Sequence, residues 1–204
     1  MKNSDTLILA MTGASGACYG LKLLEMLLKA HKKVYLMVSQ PGQMVINMET
    51  GLSVPGRPAE MREYLGARYG AQPGQLTVFG KDQWTAAIAS GGHQAYAMVV
   101  CPCTTGSLAN IAQGSSRNLI ERAADVMIKE KRQLIMVVRE TPLSAIHLNN
   151  MLTLTHLGVT IMPANPGFYL QPKSIDDLVN FMVARILDHL DVPHQLLPRW
   201  GEGE

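Results

Sequence analysis

Three segments combine small residues, hydroxyls and the end of an apolar run. MTGASGACYG, residues 11–20, passes straight from apolar residues into a helical pattern. Gly13 and Ala14 let the backbone approach a ligand closely, and Ser15 adds a hydroxyl donor. A helix start presents unpaired N–H groups and partial positive charge, which suits an anion such as a phosphate. The same turn also serves plain strand–helix packing. VYLMVSQPG places Ser39 at the end of a second apolar run, where a hydroxyl can contact a ligand or cap the next helix. VVCPCTTGSLANIA repeats the arrangement with Thr104, Thr105, Gly106 and Ser107. Its cysteines, Cys101 and Cys103, pack as small hydrophobes more readily than they react.

The spacing narrows the ligand. The first turn lacks GxGxxG, and no acidic residue follows the second strand to hold a ribose diol. A GxxxxGK phosphate loop is also missing. A hydroxyl at Ser39 suits a phosphate or a flavin ribityl chain better.

A second group of residues is cationic. VVRETP sets Arg139 and Glu140 at a strand's carboxyl end, where catalytic groups of open α/β sheets sit. NLIERAADVMIKEKR places Arg122 and Lys129 seven residues apart, about 10.5 Å along one helix face. They read as phosphate ligands or as a solvated helix face. Arg185 falls at the margin of an apolar stripe, where it reaches into a cleft or snorkels to water. Tyr169 lies in the turn-rich PANPGFY.

The elements that must position these groups alternate in period. Short apolar runs at Thr6–Met11, Val34–Val38, Leu76–Phe79, Ala95–Cys101, Leu134–Val138 and Val159–Met162 predict strands. Helical patterns cover Ser15–Lys29, Pro41–Glu49, Ala59–Arg68, Gly106–Ala112, Asn118–Lys131, Ser144–Leu157 and Ser174–Leu190. The last has Ser174 as N-cap, Asp177 three residues on, and a stripe of Ile175, Leu178, Val179, Met182, Val183, Ile186, Leu187 and Leu190. The alternation predicts α/β architecture, a Rossmann-like or flavodoxin-like three-layer sandwich on a mostly parallel sheet.

Composition bounds the rest. The 204 residues suit one domain, 1–204, with a C-terminal tail from about 191. Hydrophobic residues at 47% against 17% charged exclude disorder. A net charge of +2 leaves no nucleic-acid footprint. No apolar run is long enough for a membrane span or a signal peptide. Three cysteines make no disulfide framework and no zinc spacing, which predicts a reducing, cytoplasmic setting. Gln83–Ser116 and Thr141–Pro172 carry no Asp, Glu, Lys or Arg. Such stretches predict buried strands and loops, or surface hidden between subunits of a homo-oligomer or around a neutral ligand.

The blocks MTGASGACYG, VVCPCTTGSLANIA, NLIERAADV, VVRETPLSAIHLNNML and PANPGFY together resemble the UbiX-type flavin prenyltransferases over nearly the whole chain. The resemblance implies a flavodoxin-like fold, FMN, and a homo-oligomer, typically a dodecamer. It implies a reaction joining a dimethylallyl group from dimethylallyl (mono)phosphate to reduced FMN, with a fourth ring closed on the flavin. The product, prenylated FMN, would serve a UbiD-type decarboxylase. By the same resemblance, Gly13, Ala14, Ser15, Ser39, Thr104, Thr105, Gly106, Ser107 and Arg139 are FMN-binding positions. Tyr169 and Arg185 match prenyl-phosphate positions. Arg122 and Lys129 look like phosphate contacts supplied by neighbouring subunits. Glu140 looks like an acid/base, Glu49 like a polar catalytic residue from a neighbour, and Ser15, Lys129 and Tyr169 like further catalytic groups. Trp84 and Trp200 would wall the prenyl pocket. One departure is mild: Thr104 and Ser107 exchange the hydroxyl types common in the family.

The residues agree with that chemistry. No DDxxD exists to clamp magnesium on a diphosphate, and Asp176 and Asp177 begin a helix. Without a metal, Arg and Lys donors must carry a phosphate leaving group. Two other functions compete. A flavin-dependent cysteine decarboxylase of related fold predicts a catalytic His near the first turn and a PxMNxxMW-like loop; the chain has MPANPGFY and no His there. A non-catalytic FMN-binding protein predicts that Glu140 and Lys129 are dispensable.

Overall fold

Residues 5–93 and 95–197 are described by a computed structural model. Six strands form one sheet: β1 (Thr6–Met11), β2 (Lys33–Val38), β3 (Leu76–Val78), β4 (Ala97–Cys103), β5 (Gln133–Val138) and β6 (Thr160–Pro163). The helices are α1 (Ala17–Lys29), α2 (Gln40–Thr50), α3 (Pro58–Tyr69), α4 (Thr105–Ala112), α5 (Leu119–Lys129), α6 (Ala145–His156) and α7 (Ile175–His189). All the pairings are parallel, in the order β3-β2-β1-β4-β5-β6. The expected α/β sandwich is therefore present.

Both sheet faces are covered, which explains why the strands read as continuous apolar runs. Side chains alternate across the pleat. Leu7, Leu9 and Met11 of β1 join a core built with α1, α2, α3 and α7. Ile8 and Ala10 face the other way, into a core with α4, α5 and α6. Fully burying one such Leu or Ile contributes about 1.5–3 kcal/mol. The order of connection reverses between β1 and β4, so their carboxyl ends form the switch point where such sheets bind ligands.

Several boundaries differ from expectation for local reasons. Gly16 takes φ 105° and makes a turn of what reads as helix, so α1 begins at Ala17 rather than Ser15. β4 runs to Cys103, two residues beyond the expected end. On α7 the capping box forms as expected: Ser174 Oγ accepts from the Asp177 N–H at 3.2 Å, and Asp177 accepts from the Ser174 N–H at 2.9 Å. The backbone N–H groups of Lys173 and Ser174, with the Ser174 hydroxyl, hold the Asp177 carboxyl below its ordinary pKa. Ile175 is not part of the buried stripe; it is the first residue of α7 and 76% exposed, and burial on the helix starts only at Val179.

The two charge-free stretches behave differently. Gln83–Ser116 holds β4, buried along its length in the middle of the sheet, so the chain's own interior accounts for much of it. Thr141–Pro172 leaves Leu143, Ile146, Leu148, Leu152, Leu157 and Phe168 exposed. Among the described residues, no helix is long and apolar enough to cross a membrane.

Burial on β4 pushes the Cys103 thiol up to about 12 and raises Cys101 further. Both therefore stay protonated near neutrality and act as core residues. With an aromatic disulfide reagent at pH near 8, native protein should expose at most Cys18 to rapid modification, and denaturant should release all three thiols. Fast reaction of three thiols in the native state would contradict this burial.

Candidate active site

The strand ends build a cradle from backbone and hydroxyls. At the first turn, Gly13 packs so tightly that a Cβ there would lie 2.4 Å from Pro41 Cβ, which locks the β1–α1 turn against the start of α2. At Gly16 the positive φ is a conformation few side-chain-bearing residues adopt. Ala14 is buried and Ser15 is exposed at the turn's tip.

No side chain of the turn itself caps α1. Glu49, near the end of α2, does so instead. Its carboxylate accepts from the Gly16 N–H at 3.0 Å and from the Ala17 N–H at 2.8 Å. An anion at that position is stabilised by the orphan N–H groups and the helix dipole. The residue expected from a neighbouring subunit thus reaches this turn from its own chain. Burial, and then the nearby Glu49 charge, raise the Cys18 thiol, so no thiolate nucleophile is prepared here.

The second and third turns use hydroxyls as caps. Ser39 Oγ accepts from the Gly42 N–H at 3.0 Å. The Ser39 N–H donates to Met11 O at 3.0 Å, which ties the second turn to the first. Thr104 caps α4, its Oγ1 accepting from the Ser107 N–H at 3.1 Å and donating to Ser107 Oγ at 3.0 Å. Thr105 is half-buried at the first position of α4. Gly106 is exposed, and a Cβ there would meet nothing closer than Thr104 Oγ1 at 4.0 Å, so its backbone is open to a close approach.

Arg139 leaves the end of β5, where its N–H donates to Cys103 O at 3.3 Å. Its side-chain Nε is the one buried side-chain nitrogen or oxygen among the described residues without a hydrogen-bond partner. A buried guanidinium nitrogen left unpaired is costly, so it calls for an acceptor at this strand end. Glu140 beside it is exposed and accepts from the Thr141 N–H at 3.1 Å. Cradle, open glycine and unpartnered arginine together fit an elongated ligand bearing oxygen acceptors and an anionic end, as FMN does.

The remaining cations are distributed over the chain. Tyr169 packs edge-on against Phe181 of α7, with ring centroids 5.7 Å apart. Arg185, one turn beyond Phe181, projects outward and pairs with Asp188 at 2.8 Å. Arg122 donates through Nε to Ala89 O at 3.0 Å and pairs with Asp125 at 2.7 Å. Lys129 pairs with Glu130 and lies against Gly91. Since α5 and α7 cover opposite faces of the sheet, one chain does not bring Arg122 and Lys129 together with Tyr169 and Arg185. Trp84 is 47% exposed on the loop after β3. Trp200 lies outside the described residues. Among those residues, no three His, Cys, Asp or Glu side chains gather where they could hold a metal ion.

Sequence reading missed three features. Asp125 and Asp188 lie three residues after Arg122 and Arg185, a helical ion-pair spacing that was available as a signal. The Glu49 cap joins residues more than 30 apart, which no local pattern reveals. Thr12 stands inside the first block but carried no local signal of its own.

Comparison with known proteins shows the family. The Flavoprotein family matches residues 1–187. The flavin prenyltransferase UbiX of Pseudomonas aeruginosa is 51% identical over 202 residues, covering 99% of this chain and 97% of that protein. The crystal structure of AnUbiX (PadA1) in complex with FMN and dimethylallyl pyrophosphate superposes with a TM-score of 0.86 at 38% identity, covering 98% of each chain. A dodecameric FMN-dependent UbiX-like decarboxylase from Escherichia coli O157:H7 gives 0.85 at 37% identity, covering 96% of this chain and 98% of that one. A cradle of strand-end hydroxyls, an arginine awaiting an acceptor and full-length likeness at this identity place the chain in the Flavoprotein family, among the UbiX-type flavin prenyltransferases.

Proposed function

We propose that this chain transfers a dimethylallyl group from dimethylallyl phosphate to reduced FMN, forming prenylated FMN. The observation that carries the reading is the set of hydroxyl-bearing turns at the ends of β1, β2 and β4, together with the buried, unpartnered Nε of Arg139 at the end of β5. Reduced FMN supplies the nucleophile and is itself a substrate, so the protein needs no nucleophilic Ser or Cys.

The protein's share is binding, orientation and charge. Gly13, Ala14, Ser15, Ser39 and the Thr104–Ser107 turn hold the flavin through backbone and hydroxyl donors. Arg139 donates to an acceptor on it. Glu140, exposed at the strand end, holds or moves a proton beside the phosphate. Tyr169, Arg185, Arg122 and Lys129 offset the charge that develops on the departing phosphate, each donor contributing most when it is preorganised. A monophosphate needs fewer positive charges than a diphosphate, which matches a donor set of Arg and Lys without an aspartate clamp. Trp84, half-exposed on the loop after β3, is assigned the wall that keeps water from an allylic cation.

The distribution of the cations supports a shared site. Arg122 and Lys129 lie across the sheet from Arg185, so they serve the phosphate of a neighbouring subunit. The exposed apolar residues of α6, with Leu143 and Phe168, supply surface for that assembly, read here as a homododecamer. The whole chain is read as a single flavin-binding domain that delivers its product to a UbiD-type decarboxylase. Three unpaired cysteines fit a reducing, cytoplasmic setting.

Incubation with reduced FMN and dimethylallyl phosphate should yield flavin heavier by one dimethylallyl unit, read by mass spectrometry. Unmodified flavin after prolonged incubation would reject the reading, and decarboxylation of a peptidyl cysteine would favour the alternative enzyme. Lys129→Ala should lower turnover roughly 10²- to 10³-fold, leave FMN affinity unchanged and resist rescue by magnesium. Loss of FMN affinity at normal turnover per bound flavin would move Lys129 into the flavin site. Light scattering should report a large oligomer as the active species; an active monomer would contradict the shared site.

A further inference from the structure

The ladder that joins the two central strands stops short of the cradle. β1 and β4 pair from Leu7 with Ala97 to Ala10 with Val100, and no pair follows. On the other side of β4, its register with β5 shifts between Val100 and Cys103. The turns carrying Gly13–Ser15 and Thr104–Ser107 therefore project beyond regular sheet bonding. Something else must fix their spacing.

Thr12 occupies that gap. It is 4% exposed, so its hydroxyl is enclosed by protein. Its backbone N–H donates to Pro102 O at 3.1 Å. Its Oγ1 donates to the same carbonyl at 2.8 Å and accepts from the Thr104 N–H at 2.9 Å. Thr104 in turn caps α4 and bonds Ser107. A continuous hydrogen-bonded path thus runs from the end of β1 through one hydroxyl to the start of α4, across about 90 residues of chain. The hydroxyl is used once as donor and once as acceptor.

We infer that Thr12 is a positioning residue for the flavin: its hydroxyl sets the separation and orientation of the two turns that hold it. The inference rests on reading those turns as the FMN cradle. Valine has the same shape but lacks both bonds, and it leaves the Thr104 N–H without its partner. Serine keeps both bonds and loses only a methyl group. A residue that merely packed would show the opposite ranking, because valine preserves the apolar contacts.

The test titrates oxidised FMN into flavin-free protein, with wild type, Thr12→Val and Thr12→Ser compared under conditions where circular dichroism shows each to be folded. Binding is read by quenching of flavin fluorescence, beside the KM for dimethylallyl phosphate at saturating flavin. Thr12→Val should raise the FMN Kd about tenfold, equivalent to 1.4 kcal/mol, and leave that KM within about twofold, since the phosphate donors lie on other elements. Thr12→Ser should stay within about twofold of wild type in both, because it keeps the donor and the acceptor. Thr12→Ala removes the same hydroxyl and carries the same expectation if the valine variant does not fold. An unchanged Kd in the valine variant overturns the inference, as does a serine variant as weak as valine. If valine and alanine variants both fail to fold while serine folds and binds, the hydroxyl serves the fold rather than the flavin, and the inference is also overturned. Failure of wild type to bind FMN would sink the functional reading itself.

Discussion

A parallel sheet ends abruptly. Past the last paired residues of β1 and β4 the backbone N–H and C=O groups lose their neighbouring strand, and each must find another partner. In this protein those groups are met by helix caps, by hydroxyls and by a carboxylate from α2. Because every strand in the sheet points the same way, the carboxyl ends and the turns that follow them collect on one side of the molecule. The cradle is a product of that constraint, and the binding chemistry is what remains after the fold has satisfied itself. Arg139, with its buried Nε still unpaired, marks where the fold leaves an acceptor to be supplied.

The same layering separates the charges. Apolar side chains on both faces of the sheet leave no interior route by which α5 could approach α7. Each cation instead finds a local carboxylate: Arg122 with Asp125, Lys129 with Glu130, Arg185 with Asp188. These pairs lie at or near the surface and contribute little to stability. Their value is geometric, since they keep long side chains in place at modest energetic cost.

Most of the fold was legible because its signals are local. Continuous apolar runs announced buried parallel strands, and Ser174 with Asp177 marked the start of α7. Sequence and structure part where a single backbone angle decides, as at Gly16, or where a helix starts before its burial does, as at Ile175. The site was legible in part. Strand-end position alone pointed to Ser15, Ser39, Thr104 and Arg139, because in this architecture strand ends are where ligands go. The Glu49 cap and the Thr12 tie were not legible, because each joins segments far apart in the chain and depends on a side chain's reach. Charge-free segments proved ambiguous for a physical reason: the middle of a sheet and an exposed helix face can share the same composition, as β4 and α6 do.

Glu49 has a consequence for the lifetime of any complex. The N–H groups of Gly16 and Ala17 already hold a carboxylate, so an anion arriving at that helix end exchanges one partner for another. It gains only the difference between two charge-assisted bonds, not the full value of two orphan donors. A site built this way grips its occupant less tightly than the same donors left bare would. The resident carboxylate thus sets an upper limit on how long that helix end can keep any second anion.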